Sequence, residues 1–255
     1  MVFSSIPFLY YFLPAVLAVY FLTPRKGKNA VLLLASLIFY GWGELRLLPL
    51  MAFTILLCYV CGLGIERSRK RKKLWLLASI VISVGLLGVF KYADFFIGSL
   101  NAVTGLKIPL LHLALPVGIS FYTFQTLSYS IDVYRRDVKA ERNIIDFGAY
   151  VVMFPQLIAG PIVKYRDVSN QLHVYKHRYT LSQIEEGMTL FTFGLAKKVL
   201  LADAIGALWT DIIGVADSPS TTFVGLANAS TPLVWLGIIA YSLQLYFDFS
   251  GYSMM

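Results

Sequence analysis

Apolar residues arrive in long blocks separated by short charged stretches. The blocks run Ile6 to Leu22, Ala30 to Tyr40, Leu45 to Gly64, Leu74 to Phe90, Pro109 to Ser130, Leu181 to Ile205 and Thr231 to Phe249. An α-helix needs about 20 such residues to cross about 30 Å of hydrocarbon. The pattern predicts an all-α integral membrane protein, a polytopic helix bundle. Two stretches are poor spanning helices. In Leu115 to Thr126, proline, glycine, hydroxyls and an amide crowd together; Phe147 to Val163 is short and holds two prolines. Irregular backbone at membrane depth survives only where protein or a water-filled cavity satisfies it. Both stretches therefore point to an internal cavity.

Charge sets the expected direction of each crossing. Arg25, Lys26 and Lys28 precede the second block, and Arg67, Arg69, Lys70, Arg71, Lys72 and Lys73 follow the third. Basic loops face the cytoplasm. The second and third blocks are then two crossings, with a break at Gly41-Trp42-Gly43-Glu44, Glu44 near the outer side and the N-terminus outside. Asn101 to Lys107 and Asp211 to Ser230 read as outer loops, and Asp132 to Arg142 as an inner one. Basic residues flank Phe147 to Val163 on both sides, so that stretch is expected to be a re-entrant hairpin that enters and leaves from the cytoplasm.

Composition agrees. Of 255 residues 58% are hydrophobic and 14% charged, and mean hydropathy is +0.69. Soluble domains carry about 25% charged residues. The net charge of +8 belongs to loops between apolar runs, which argues against a nucleic-acid partner. The first residues have no basic region and no small-residue cleavage pattern, so they read as a first spanning helix and not as a signal peptide. Cys58 and Cys61 sit inside an apolar run without a nearby histidine or second pair, and read as packing residues. The last block runs to Met255 without a polar tail or helix stop. This predicts the N-terminal part of a longer protein, with residues 1–255 forming part of one transmembrane domain.

Candidate chemistry is sparse. Asp248, among aromatics at membrane depth, is a functional candidate by its cost alone, or else a structural acid paired with Lys197 or Lys198. Gln125 and Gln156 could line a polar tunnel or bind broken backbone nearby. His112 has no carboxylate or nucleophile close in sequence. His173 and His177 have a ligand-like spacing but lie in a basic loop, and no Glu completes a His-Glu-x-x-His pattern. No metal site, nucleophile elbow or phosphate-cradling loop appears.

Five motifs in order carry a family likeness: Met1 to Ser5, Phe39-Tyr40-Gly41-Trp42-Gly43, Leu115 to Thr126, Phe154-Pro155-Gln156-Leu157-Ile158-Ala159-Gly160-Pro161-Ile162, and Tyr246-Phe247-Asp248-Phe249-Ser250-Gly251-Tyr252-Ser253. Together they resemble the membrane-bound O-acyltransferase family, in its alginate O-acetyltransferase-type branch. The resemblance implies re-entrant segments around a tunnel through the membrane. It implies transfer of an acetyl group from a cytoplasmic donor, acetyl-CoA, to an extracytoplasmic polysaccharide hydroxyl, with a separate esterase-like protein completing delivery. No bound cofactor is expected. It makes Gln125, Gln156, Asp248 and Tyr252 the candidate substrate-binding residues. The family's essential histidine lies in a later helix, and no histidine here takes that place. One departure stands out: Met254 occupies the position where the family usually has an aspartate. Rival readings are a D-alanyl-transfer protein of the same family, a transporter built on broken helices, and a non-catalytic remnant.

Overall fold

The computed structural model describes residues 4–68, 70–157, 163–173, 180–213 and 230–255. The expectations for Met1 to Phe3, Ile158 to Ile162, His177 and most of the Asp211 to Ser230 loop lie outside them. The chain forms two compact units, Phe3–His177 and Arg178–Met255.

In the first unit α1 (Leu13–Leu22) follows a π-helical turn, Phe8–Phe12. Helices α2 (Lys28–Glu44) and α3 (Leu48–Arg67) are joined by one 3-10 turn, Leu45–Leu47. They fold back on each other as a hairpin. Leu33 and Ile55, on opposite arms, both border Gly148, and Asn29 and Tyr59 both bond the 142–146 stretch. Helix α2 does not break at Gly41. In lipid no water replaces a lost backbone hydrogen bond, and glycine is well tolerated in membrane helices.

Helix α4 (Lys72–Leu87) passes through a π-helical turn, Gly88–Tyr92, into α5 (Ala93–Thr104). The expected block from Pro109 is helical only from Ile119: α6 spans Ile119–Arg135. Residues 105–117 precede it without helix. Asp94 holds that stretch by accepting hydrogen bonds from the Leu111 and His112 N–H groups, at 2.7 and 3.0 Å. From Ile119 onward the hydroxyls do not disturb the helix, because Thr126 and Ser130 donate to carbonyls one turn back along it.

The expected hairpin is built from α7 (Ile144–Val152) and α8 (Phe154–Leu157), with a break at Met153. Nine residues rise only about 13 Å, half a hydrocarbon core, so α7 cannot cross. It is wholly buried from Asp146 to Val152. Gly148 lets it fit between α2 and α3, where an added Cβ would lie 3.1 Å from Leu33. Its end lies beside the middle of α2: the Phe154 N–H donates to Ser36 Oγ, halfway along that helix, at 3.1 Å. The chain returns beside its entrance. Tyr150 Oη donates to the Val163 carbonyl, and Asn29 Nδ2 bonds both Asp146 and the carbonyl of Leu172, in α9 (Tyr165–His173).

The second unit runs from α10 (Leu181–Ala196) through a π-helical stretch, Lys197–Ala202, into α11 (Asp203–Ile213), and α12 (Thr231–Met254) packs along all three.

Helical stretches Arg25–Arg67, Lys72–Thr104 and Thr231–Met254 are long and apolar enough to cross a membrane. Along α4 burial is inverted relative to a water-soluble helix. Helix α4 buries only Ser79 and Ser83, while Leu74, Leu77, Val81 and Val84 face outward. Ser79 Oγ meets Ser130 Oγ at 2.9 Å and Cys58 Sγ meets Ser83 Oγ at 3.8 Å. Small polar residues joining helices inside and apolar chains outside are what a lipid solvent selects. The protein is a multi-pass, all-α membrane protein.

Candidate functional site

The two irregular stretches meet. Gly118, in the left-handed region at φ 74°, starts α6 against the carbonyl of Leu157 at the end of α8. About two turns further along α6, the amides of Gln125 and Gln156 converge on one atom. Both Nε2 groups donate to the Tyr150 carbonyl oxygen, Gln125 at 2.8 Å. That carbonyl belongs to the last turn of α7, where the break at Met153 removes its helical partner. The two side chains thus tie α6 and α8 to the broken end of α7. Tyr122, Thr123 and Thr126 of α6 are buried as well.

Replacing Gln125 or Gln156 by leucine should destabilise the first unit by about 1–3 kcal/mol each, since each removes a donor from a buried acceptor. Because either amide alone still satisfies that shared acceptor, the double variant, which leaves it unpaired, should lose more than the sum. A double-mutant cycle on thermal unfolding in detergent checks this, and strict additivity would separate the two roles.

The other two candidate residues lie in the second unit. Asp248 on α12 is ion-paired to Lys198 Nζ at 2.9 Å, and the same ammonium holds Asp203 at 2.9 Å. Lys198 is one of the two partners that the sequence offered for it. Tyr252 lies one turn beyond Asp248 on α12, half-buried. Both lysines sit in the π-helical stretch between α10 and α11. Lys197 Nζ reaches Ser250 Oγ at 3.1 Å and Met254 Sδ at 3.0 Å. A thioether is a weak acceptor, and it stands where an aspartate would give this ammonium a counter-charge. Met254→Asp should therefore raise the thermal stability of the second unit by roughly 1 kcal/mol, the scale of a partly buried ion pair. An unchanged or lowered melting temperature would refute that pairing.

Two further groups were not foreseen. At one end of the first unit the buried Glu141 carboxylate accepts from the Arg142 and Asn143 N–H groups at 2.8 and 2.9 Å and from Tyr165 Oη. Burial, then Glu141, hold the Tyr165 hydroxyl well above the usual phenol range. A cleft of about 700 Å³ opens there, flanked by Lys139, Arg142 and Arg166. Beside it a cleft of about 380 Å³ carries Lys72, Arg136 and again Lys139. The opposite end gathers Tyr40, Glu44 and Tyr122, which are electrostatic neighbours. There Glu44 Oε2 accepts from the Val117 N–H at 3.1 Å. A motif tyrosine four residues before a glutamate was the signal available in the sequence.

His112 is exposed on the stretch before α6, with φ 46°. His173 is the last residue of α9. Cys58 and Cys61 are free, buried thiols. Among the described residues no cluster of His, Cys, Asp or Glu could hold a metal ion.

The chain is 45% identical over its whole length to the probable alginate O-acetylase of Pseudomonas putida, of which it covers 51%. It is 43% identical over its whole length to that of Pseudomonas aeruginosa, covering 48%. It is 33% identical to the peptidoglycan O-acetyltransferase of Helicobacter pylori, again over the whole chain and 53% of that protein. The chain thus spans about half the length of these curated relatives. No protein-family model matches it.

Proposed function

We propose that this chain, which belongs to the membrane-bound O-acyltransferase family in its alginate O-acetylase branch, carries part of the machinery for O-acetylating an exported or cell-wall polysaccharide. The observation that carries the reading is identity of 43 to 45% along the whole chain to several alginate O-acetylases. The geometry supports it: two broken helices meet at membrane depth around buried amides and hydroxyls.

The membrane is the cell's plasma or inner membrane, with the N-terminus outside. That orientation places the basic clefts at Lys139 in the cytoplasm and Glu44 at the outer side, following the positive-inside rule. The clefts then suit an anionic acyl donor, acetyl-CoA, because Arg and Lys pair with phosphate oxygens. Transfer to a hydroxyl needs a base to take its proton. That base is not among the described residues. Donors are also needed for the charge that develops on the acyl oxygen. The N–H groups of Ser120 and Phe121, at the start of α6, draw no hydrogen bond from the described residues and are the group offered here. A structure with an acyl-donor analogue that shows them pointing away would remove this role. An extracytoplasmic esterase-like protein is the partner expected to complete delivery.

The test is acetate released by mild alkali from the cell-surface polymer, compared with a strain deleted for the gene. Loss of acetate on deletion supports the reading, and equal acetate refutes it. Release of D-alanine instead would support the second reading. That reading rests on 28% identity over 141 residues to the teichoic acid D-alanyltransferase of Lacticaseibacillus rhamnosus.

A further inference from the structure

The Tyr40 hydroxyl is buried and has no hydrogen-bond partner among the described residues, although the side chain is 5% exposed. A phenol buried without a partner is destabilising, and phenylalanine would fill the same space without that cost. The hydroxyl is therefore unexplained by packing. The side chain belongs to the apolar core of the unit, yet a charge lies beside it. Glu44 lies one turn further along the same face of α2, the i, i+4 relation that makes side chains neighbours. One oxygen of Glu44 accepts from the Val117 N–H; the other carries no hydrogen bond among the described residues. Tyr122 of α6 completes the group, and Glu44 is itself half-exposed at this end of the unit.

A phenol donor beside a carboxylate acceptor fits a ligand that presents a carbonyl oxygen and an alcohol side by side. It does not fit a second carboxylate, which Glu44 would repel. Resting on the acetyl-transfer reading above, we propose that Tyr40 and Glu44 form a binding site for the acyl ester and hydroxyl groups of a sugar, Tyr40 donating to the acyl carbonyl oxygen and Glu44 accepting from the hydroxyl. The motif Phe39-Tyr40-Gly41-Trp42-Gly43 thereby gains a task, and residues 115–118 gain one as well, since Val117 holds Glu44 in place.

The test uses the full-length protein from its own membranes and the variant Tyr40→Phe, which removes a single oxygen atom. Two readouts separate structure from binding. Without ligand, Tyr40→Phe should melt at or above the wild-type temperature, because no hydrogen bond is lost. With an O-acetylated hexose as probe, the wild type should be stabilised and the variant should bind about tenfold more weakly, the loss expected for one buried hydrogen bond. Glu44→Gln should weaken binding of the same probe. Lower stability of the ligand-free variant would mean that Tyr40 is a structural donor, to a buried water or to residues outside the described set, and would overturn the proposal. Equal binding by wild type and variant, or none by the wild type, would also overturn it. The acetate assay is read separately. If deletion leaves polymer acetate unchanged while the probe still binds through Tyr40, the transfer reading fails and the site remains.

Discussion

Gly118→Val should abolish a stable first unit, with a loss above 3 kcal/mol, whereas Gly98→Ala in α5 should be neutral or slightly stabilising. Gly118 has φ 74° and ψ 3°, a region that costs an L-residue about 1–2 kcal/mol and a β-branched one more. A Cβ there would also run into the Leu157 carbonyl oxygen. That oxygen is backbone and has little room to yield. Leu157 is 1% exposed, and Gln156 beside it is tied to Tyr150. Gly98 has nothing within 4 Å of an added Cβ, so alanine there only gains helix propensity, up to about 1 kcal/mol. Thermal unfolding in detergent, with the yield of monodisperse protein, measures both. Similar melting of the two variants would mean that the α6–α8 junction does not depend on Gly118.

Gly251→Val should part α12 from α10 and destabilise the second unit by about 3 kcal/mol. Gly194 and Gly251 stack backbone on backbone. A Cβ at Gly251 would lie 2.7 Å from the Gly194 carbonyl oxygen, 3.2 Å from the Lys198 nitrogen and 3.3 Å from Lys197 Cβ. Without a hydrophobic force between helices in lipid, close approach over small residues is a main source of attraction. Overpacking such a contact costs about 1–3 kcal/mol before rearrangement. The loss extends to charge, because Asp248 lies within one turn of Gly251 and its 2.9 Å contact with Lys198 depends on the same spacing. A combined Gly251→Val, Asp248→Asn variant should therefore be little worse than Gly251→Val alone. Full additivity would show that the ion pair survives the parting of the helices.

Solvent class, spanning blocks and loop charge were legible in the amino-acid order, because each depends on residues within one helix or one loop. So was the α2–α3 pair, from two basic stretches around one polar turn, and the break between α7 and α8, from its prolines. Helix ends were less legible. The expected break at Gly41-Trp42-Gly43-Glu44 falls on its last residue, Glu44, where α2 ends. Conversely, Ser120 to Thr126 read as irregular but are helical, and the Thr126 hydroxyl finds its acceptors within the helix. Those outcomes turn on which partner wins locally.

The site depended on contacts that no local pattern encodes. Gln125 and Gln156 were candidates by residue type alone, and only folding puts them on the same carbonyl, 25 and 6 residues away in the chain. Asp248 had two candidate lysines until α12 came to lie beside Lys198, and only the Val117–Glu44 bond, spanning 73 residues, ties the stretch before α6 to the end of α2 that carries Tyr40. The order of apolar and charged residues determined that this chain lives in a membrane and where its helices run, because transfer into lipid is a sum over neighbouring side chains. Which polar atoms of distant segments are satisfied, shared or left over was decided by tertiary structure, because in lipid no water stands in for a protein partner.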